Sequence, residues 1–174
     1  MSVRPLETPR PAGGPSLYDA FARYASGVTL VTVRSDDDRF FIAAPVLTVS
    51  VEPFTVAVSV GRHRDALAAI AAGSPWAVSL LAAHHLELAR RLSQPATRAE
   101  RLDALRAAGA VMSDEGPLWL PDSLATFWCV TASVTTVHDQ ALVVGDVARG
   151  ELSEGGEPLL RWDRSFGTID DLVG

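Results

Sequence analysis

Short apolar runs rich in β-branched residues recur along this chain, and polar segments separate them at the spacing of hairpins. Residues 28–33 read VTLVTV and predict a strand, as do 55–60 and 75–81. Residues 40–50 predict a strand or pair of strands, interrupted by Pro45, which implies an edge, a bulge or a bend. The longest β-rich run, 126–137, turns at His138, Asp139 and Gln140 and pairs back along 141–147. A last strand is expected at 159–162. The string RSDDDR at 34–39 reads as a solvated hairpin tip, because its aspartates lack the spaced oxygens and glycine of a calcium loop.

Helical periods are fewer. Ser16 and Asp19 have the form of a capping box and predict a helix over 17–25, with Leu17, Phe21 and Tyr24 on its buried face and Gly27 at its end. Residues 64–72 predict a helix with Gly73 as its left-handed cap, and 84–92 and 97–108 predict two more. Residues 113–121 read as a loop around a short apolar piece, and 153–158 as a turn. Seven or so strands with helices between only some of them do not alternate as a doubly wound sheet does. The expectation is a mainly β fold, an antiparallel barrel with peripheral helices packed outside. No repeat or linker divides the chain: 1–15 reads as a flexible lead-in rich in Pro and Gly, and 16–174 as one domain.

One junction carries candidate chemistry. The run at 55–60 ends at Gly61 and passes through Arg62, His63 and Arg64 into a helix. Free backbone N–H groups gather where a helix opens, and two arginines beside them favour an anion such as a cofactor phosphate. The alternative is a set of solvated charges capping a surface helix. His84 and His85 adjoin in sequence and do not share a helical face, and no third ligand is evident, so no metal site is assigned. No nucleophile–base set emerges, and neither GxSxG nor GxGxxG occurs.

Composition narrows the classes. With 174 residues, 48% apolar and 21% charged, the chain is long and apolar enough for a substantial core. A net charge of −6 with no basic face argues against nucleic acid as a partner. All fifteen basic residues are arginine, which excludes Schiff-base and P-loop lysine chemistry. No run reaches the roughly 18 apolar residues of a membrane span, and the first residues lack the apolar core of a signal peptide. The single cysteine, Cys129, sits in an apolar run as an inert thiol and fits a reducing cytoplasm.

The ordered set of segments resembles the flavin reductase-like, FMN-binding split-barrel family. FARYASGVTLVT at 21–32 resembles the family's "F…ATGVTVVT", and TVSVEP at 48–53 its "SVSLDP". WAVSLL at 76–81 resembles "FAVNVL", LELARRL at 86–92 stands where the family has "LAxxFA", and GDV at 145–147 and PLL at 158–160 match "GEV" and "PLL". The resemblance spans residues 17–168 and implies a six-stranded antiparallel Greek-key split β-barrel that forms a homodimer. It implies FMN, or FAD, in a groove near the dimer interface, and NADH or NADPH as co-substrate. The implied activity is an NAD(P)H:flavin oxidoreductase, supplying a partner monooxygenase in many members.

Carried onto this sequence, the resemblance implies that Ala43, Ala44, Pro45, Val46 and Thr48 line the flavin ring, through main-chain atoms where the family's Thr, Asn and Ser are replaced by Ile42, Ala44 and Pro45. Gly61, Arg62, His63 and Arg64 take the phosphate position, and Ser79 stands for the asparagine of "VNVL". Trp162 and Phe166 either flank the flavin or pack in the core or dimer. The histidine of the late "GDH" turn falls on Gln140, with His138 two residues away, as the nicotinamide pocket. The apolar 42–45 stretch leaves two other readings open: a flavoprotein that holds FMN tightly and acts on another substrate, and a non-enzymatic descendant that has lost flavin.

Overall fold

The computed structural model of the protein describes residues 17–44 and 46–173. The lead-in, the Ser16 cap and Pro45 lie outside the described residues. In chain order the elements are α1 (Leu17–Phe21), β1 (Ser26–Gly27), β2 (Thr29–Arg34), β3 (Asp38–Ala43), β4 (Val46–Val51), β5 (Phe54–Gly61), α2 (Asp65–Ala71) and β6 (Trp76–Leu80). A 3-10 turn, Ala83–His85, leads into α3 (Leu86–Ser93) and α4 (Arg98–Ala107). Then follow β7 (Val111–Met112), β8 (Leu118–Trp119), β9 (Ala125–Val137), β10 (Gln140–Leu152), β11 (Leu160–Trp162), β12 (Ser165–Gly167) and α5 (Ile169–Val173).

The main sheet has the order β3-β2-β6-β9-β10-β5-β4, and every neighbouring pair is antiparallel. Its two edges, β3 and β4, are consecutive in sequence, with only positions 44 and 45 between Ala43 and Val46. A chain reaches about 3.3–3.6 Å per residue, so the edges are tethered close together and the sheet must curl. The result is an antiparallel barrel split between β3 and β4, with seven strands where six were expected.

Two cores flank the sheet. Inside, Val31 and Val33 of β2 meet Phe41 of β3, Val56, Val58 and Val60 of β5 and Trp76 of β6, and α2 contributes Ala66, Ala69 and Ile70. Outside, Val28 and Leu30 pack under Leu88 and Leu92 of α3 and Leu105 of α4. A strand covered on both faces needs no polar alternation, which is why 28–33 reads as one apolar run. Gly145 of β10 faces the Trp76 indole so closely that a Cβ there would run into the ring. The Trp76 Nε1–H donates to Thr131 Oγ1 at 3.1 Å, and that hydroxyl donates to the Ile70 carbonyl at 3.1 Å, tying β6, β9 and α2 together.

The hairpin tip follows its charge pattern: Asp38 pairs with Arg34 (3.3 Å), and Asp37 with Arg39 (2.9 Å) and Arg98 (2.6 Å). Gly73 takes a φ of 88° and ends α2 as expected. Two expectations fail at the chain ends. Helix α1 stops at Phe21, and Leu17, Phe21 and Tyr24 are 50%, 64% and 68% exposed rather than buried, because the chain leaves after one turn to pair β1 with β11. The strand at 159–162 is followed by β12, joined through Asp163 and Arg164 at φ 46° and 64°. An Asn-Gly pair would have announced such a hairpin; Asp-Arg does not.

Candidate functional site

A cleft of about 620 Å³ lies at the seam of the barrel. Its floor is the end of β3 and the seam itself, Phe41 to Ala44. One wall is Ser59 and Gly61 of β5 with Asp139 and Gln140 of the β9–β10 turn; His63 and Arg64 follow β5, and Tyr18 and Arg161 border the cleft as well. Six of the residues singled out in the sequence therefore converge: Ala43, Ala44, Gly61, His63, Arg64 and Gln140.

Arg64 dominates the electrostatics. It is half-buried, its guanidinium lies 4.9 Å from the Phe41 ring centroid, and no carboxylate pairs with it among the described residues. Burial holds its pKa below the usual arginine value, Arg101 nearby adds to that, and Asp65 opposes it. Arginine stays protonated regardless, so the site holds a partly desolvated cation that an anion would stabilise. Helix α2 itself contributes less than its sequence suggests. Arg64 is its N-cap with no side-chain cap, and Asp65 already sits in the first turn, 3.6 Å from Arg39. Gly61 has a packing reason: the His63 ring folds back over it, and a Cβ would lie 2.6 Å from His63 Cε1.

The β5 wall and the turn before β10 supply further polar groups, the Asp139 carboxylate among them. Ser59 Oγ donates to Gln140 Oε1 at 3.4 Å, and Gln140 Nε2 donates to Asp139 Oδ2 at 3.1 Å.

The remaining candidates fall elsewhere. Arg62 donates through its backbone to the Asp139 carbonyl (2.9 Å) and through its guanidinium to the His138 carbonyl (3.2 Å), so it fastens two turns together outside the cleft. His138 is exposed and does not line the cleft. Ser79 is 1% exposed and bonded to Thr126 Oγ1 at 2.8 Å; a strand alternates its faces, and with Val78 inside the barrel Ser79 is sealed under the outer layer. Val46 packs against the inner core, and Thr48 is exposed on the edge strand β4. Trp162 is 45% exposed away from the cleft, and Phe166 packs on the outer core. Sequence reasoning missed Tyr18, Phe41, Ser59, Asp139 and Arg161. Phe41 lies in a stretch already under suspicion, but nothing local marks Arg161.

Asp122 gives His84 and His85 the third group the sequence did not reveal. His84 Nε2 lies 2.9 Å from one carboxylate oxygen and His85 Nε2 3.0 Å from the other. The Ala82 N–H donates to His85 Nδ1 at 3.1 Å, which leaves Nε2 as the protonated nitrogen that donates to Asp122. A metal on Nε2 would leave Nδ1 facing a donor where a metal-bound histidine normally offers an N–H. This geometry is a clamp between the 3-10 turn and the loop before β9. Cys129 is buried, and burial, with a contribution from the Asp146 charge, pushes its thiol up to about 12.

The family model described as flavin reductase like domain matches residues 21–170. A Streptomyces pristinaespiralis protein named NADH:riboflavin 5'-phosphate oxidoreductase is 34% identical over 161 residues, 89% of this chain and 88% of its own. The actinorhodin polyketide dimerase of Streptomyces coelicolor is 27% identical over 160 residues (91% and 88%), and the reductase component of the Thermus thermophilus 4-hydroxyphenylacetate 3-monooxygenase is 28% identical over 149 (85% and 91%). Among solved structures, a putative flavin reductase from Haemophilus somnus superposes with a TM-score of 0.79 at 22% identity, covering 87% of this chain and 96% of its own. A Streptomyces globisporus NADH:FAD oxidoreductase solved with NAD and FAD fragments superposes at 0.78 and 24% identity (87% and 89%).

Proposed function

The chain belongs to the flavin reductase-like family, and from that premise we propose that it reduces FMN with NADH, the flavin lying in the seam cleft. The observation that carries this reading is Arg64, a half-buried cation with no carboxylate partner among the described residues, lining a cleft of suitable size. The residues present fit FMN. Arg64 would take the phosphate, with His63 beside it, by a charge-assisted hydrogen bond. Ala43 and Ala44 would face the ring with main-chain groups and no bulk. Ser59 and Gln140, which also line the cleft, would offer the ring the polar side chains that Ile42 and Ala44 lack. FAD is the alternative flavin. Bound flavin supplies the hydride acceptor and NADH the hydride; the protein's own part is to orient both and exclude water.

Names of relatives as reductase components support a second role, the supply of reduced flavin to a partner monooxygenase. A homodimer is supported by the outer face of β4, β5 and β10. There Leu47 (61% exposed) and Leu142 (39%) point away from the inner core, opposite Ala57 and Ser59. Ser59 also lines the cleft, so a partner on that face would adjoin the flavin. A cytoplasmic location is supported by the lone buried thiol; among the described residues no helix is long and apolar enough to cross a membrane.

A second reading, a flavoprotein holding FMN for another substrate, is favoured by the apolar floor at Ile42 to Ala44 and by the polyketide dimerase among the relatives. One experiment separates them. Protein loaded with FMN and freed of excess is mixed with NADH, with and without added FMN. Catalytic NADH oxidation that scales with added FMN supports the reductase; retained FMN with no NADH oxidation supports the second reading.

A further inference from the structure

Beyond Arg161 the seam cleft continues. Tyr18, Ala44 and Arg161 also border a second hollow of about 230 Å³, which Phe21, Tyr24 and Arg164 line as well. Tyr18 is 76% exposed, Phe21 64% and Tyr24 68%, so both tyrosines of the chain stand open in this one bay. Phe21 and Tyr24 stack tilted, ring centroids 5.7 Å apart. The wall is held in place: the Asp163 N–H donates to the Ala22 carbonyl at 2.8 Å, and Arg164 pairs with Asp19. Arg161 differs from Arg164. It has no ion pair among the described residues, and its guanidinium lies 5.8 Å from the Phe166 ring centroid.

Exposed rings in a concave bay stack planar heterocycles, and a guanidinium at its mouth pairs with phosphate. The reductase reading gives the one phosphate of FMN to Arg64, so FMN leaves the Phe21 and Tyr24 rings of the bay, which do not line the seam cleft, unused. NADH and FAD share a further moiety of the chemistry this bay fits. We propose that the Tyr18–Phe21–Tyr24 bay, with Arg161 at its mouth, seats the adenosine diphosphate half of a dinucleotide. The proposal rests on the reductase reading and adds to it the part of the molecule that selects a dinucleotide. A second copy of this chain covering the same rings is the rival occupant.

The probe is ADP-ribose, which has neither nicotinamide nor flavin, titrated by calorimetry into the full chain loaded with FMN. Binding is expected. Phe21→Ala and Arg161→Ala should each weaken it at least about fivefold, the low end for one stacking or charged contact. FMN affinity in Phe21→Ala should stay within about twofold, since Phe21 lines the bay and not the seam cleft, and Arg64→Ala should show the reverse pattern. Competition of ADP-ribose against NADH identifies NADH as the source of the moiety, and competition against FAD alone identifies FAD; both support the seat. Absence of ADP-ribose binding by protein that binds FMN and oxidises NADH overturns the proposal. So does unchanged ADP-ribose affinity in both variants, including the case where Phe21→Ala alters only the oligomeric state. A chain that takes no FMN overturns the reductase reading separately, and its flavin-free ADP-ribose titration is judged by the same criteria.

Discussion

The guanidinium of Arg64 lies over the ring of Phe41, 4.9 Å from its centroid. Phe41 is part of the inner core, so the ring is a fixed platform and the charge above it is fixed with it. Arg64→Ala should weaken FMN binding by about 1.5–3 kcal/mol, the range for a lost charged hydrogen bond. Thermal stability should change little beside that. Arg62→Ala is the control: its guanidinium is committed to the His138 carbonyl, and FMN affinity in a fluorescence titration should not move.

Gly145 should not tolerate a side chain. Its Cα faces the fully buried Trp76 ring, and the indole is anchored through Thr131, so neither partner can yield easily. Gly145→Ala should lower stability by about 1–3 kcal/mol, the usual range for overpacking a core. Urea unfolding of the two proteins measures it.

The His84–Asp122–His85 clamp makes stability depend on pH. Burial first, and His84 as well, push the His85 pKa below its ordinary value of 6.5, against the hydrogen bond and charge of Asp122. The folded ring therefore resists a proton that the unfolded chain accepts. The contribution is complete above pH 6.5 and is lost as pH falls below it. Burial raises the Asp122 carboxyl, but hydrogen bonds from His85 and His84 outweigh it and leave the pKa below the carboxylate norm, so further loss follows at lower pH. Melting temperature should decline as pH falls from neutrality towards 5, and the decline should be shallower in His85→Asn.

Cys129 should be silent in the native state. A buried thiol pushed up to about 12 offers almost no thiolate near neutral pH. A thiol reagent should find no reactive group in folded protein and one per chain in denaturant.

Leu47 and Leu142 test the assembly. If the outer face of β4, β5 and β10 joins two copies, Leu142→Asp should shift the protein to a monomer in size-exclusion chromatography with light scattering.

Local chemistry was legible in the sequence, and assembly across strands was not. VTLVTV at 28–33, the RSDDDR tip and Gly73 each announce their element because the cause lies within a few residues. That Arg64 and Gly61 lie side by side at the cleft has the same local cause, since a strand end, a glycine and a cation adjoin in sequence. Ser59 and Gln140 meet only through the register of β5 on β10, which no local pattern encodes. Ser79 shows the opposite error: its position matched a family pattern, but strand parity turns it to a sealed face. Arg161 reaches the cleft because β11 pairs with β1, a contact between residues far apart in the chain.

Whether the seam cleft reduces FMN through Arg64 is decided by steady-state NADH oxidation by the purified protein as free FMN is raised, run beside Arg64→Ala. Saturable, FMN-dependent oxidation is expected, with a half-saturating FMN concentration at least about tenfold higher in the variant, the equivalent of about 1.4 kcal/mol. No FMN-dependent oxidation, or an identical FMN dependence in the two proteins, would contradict it.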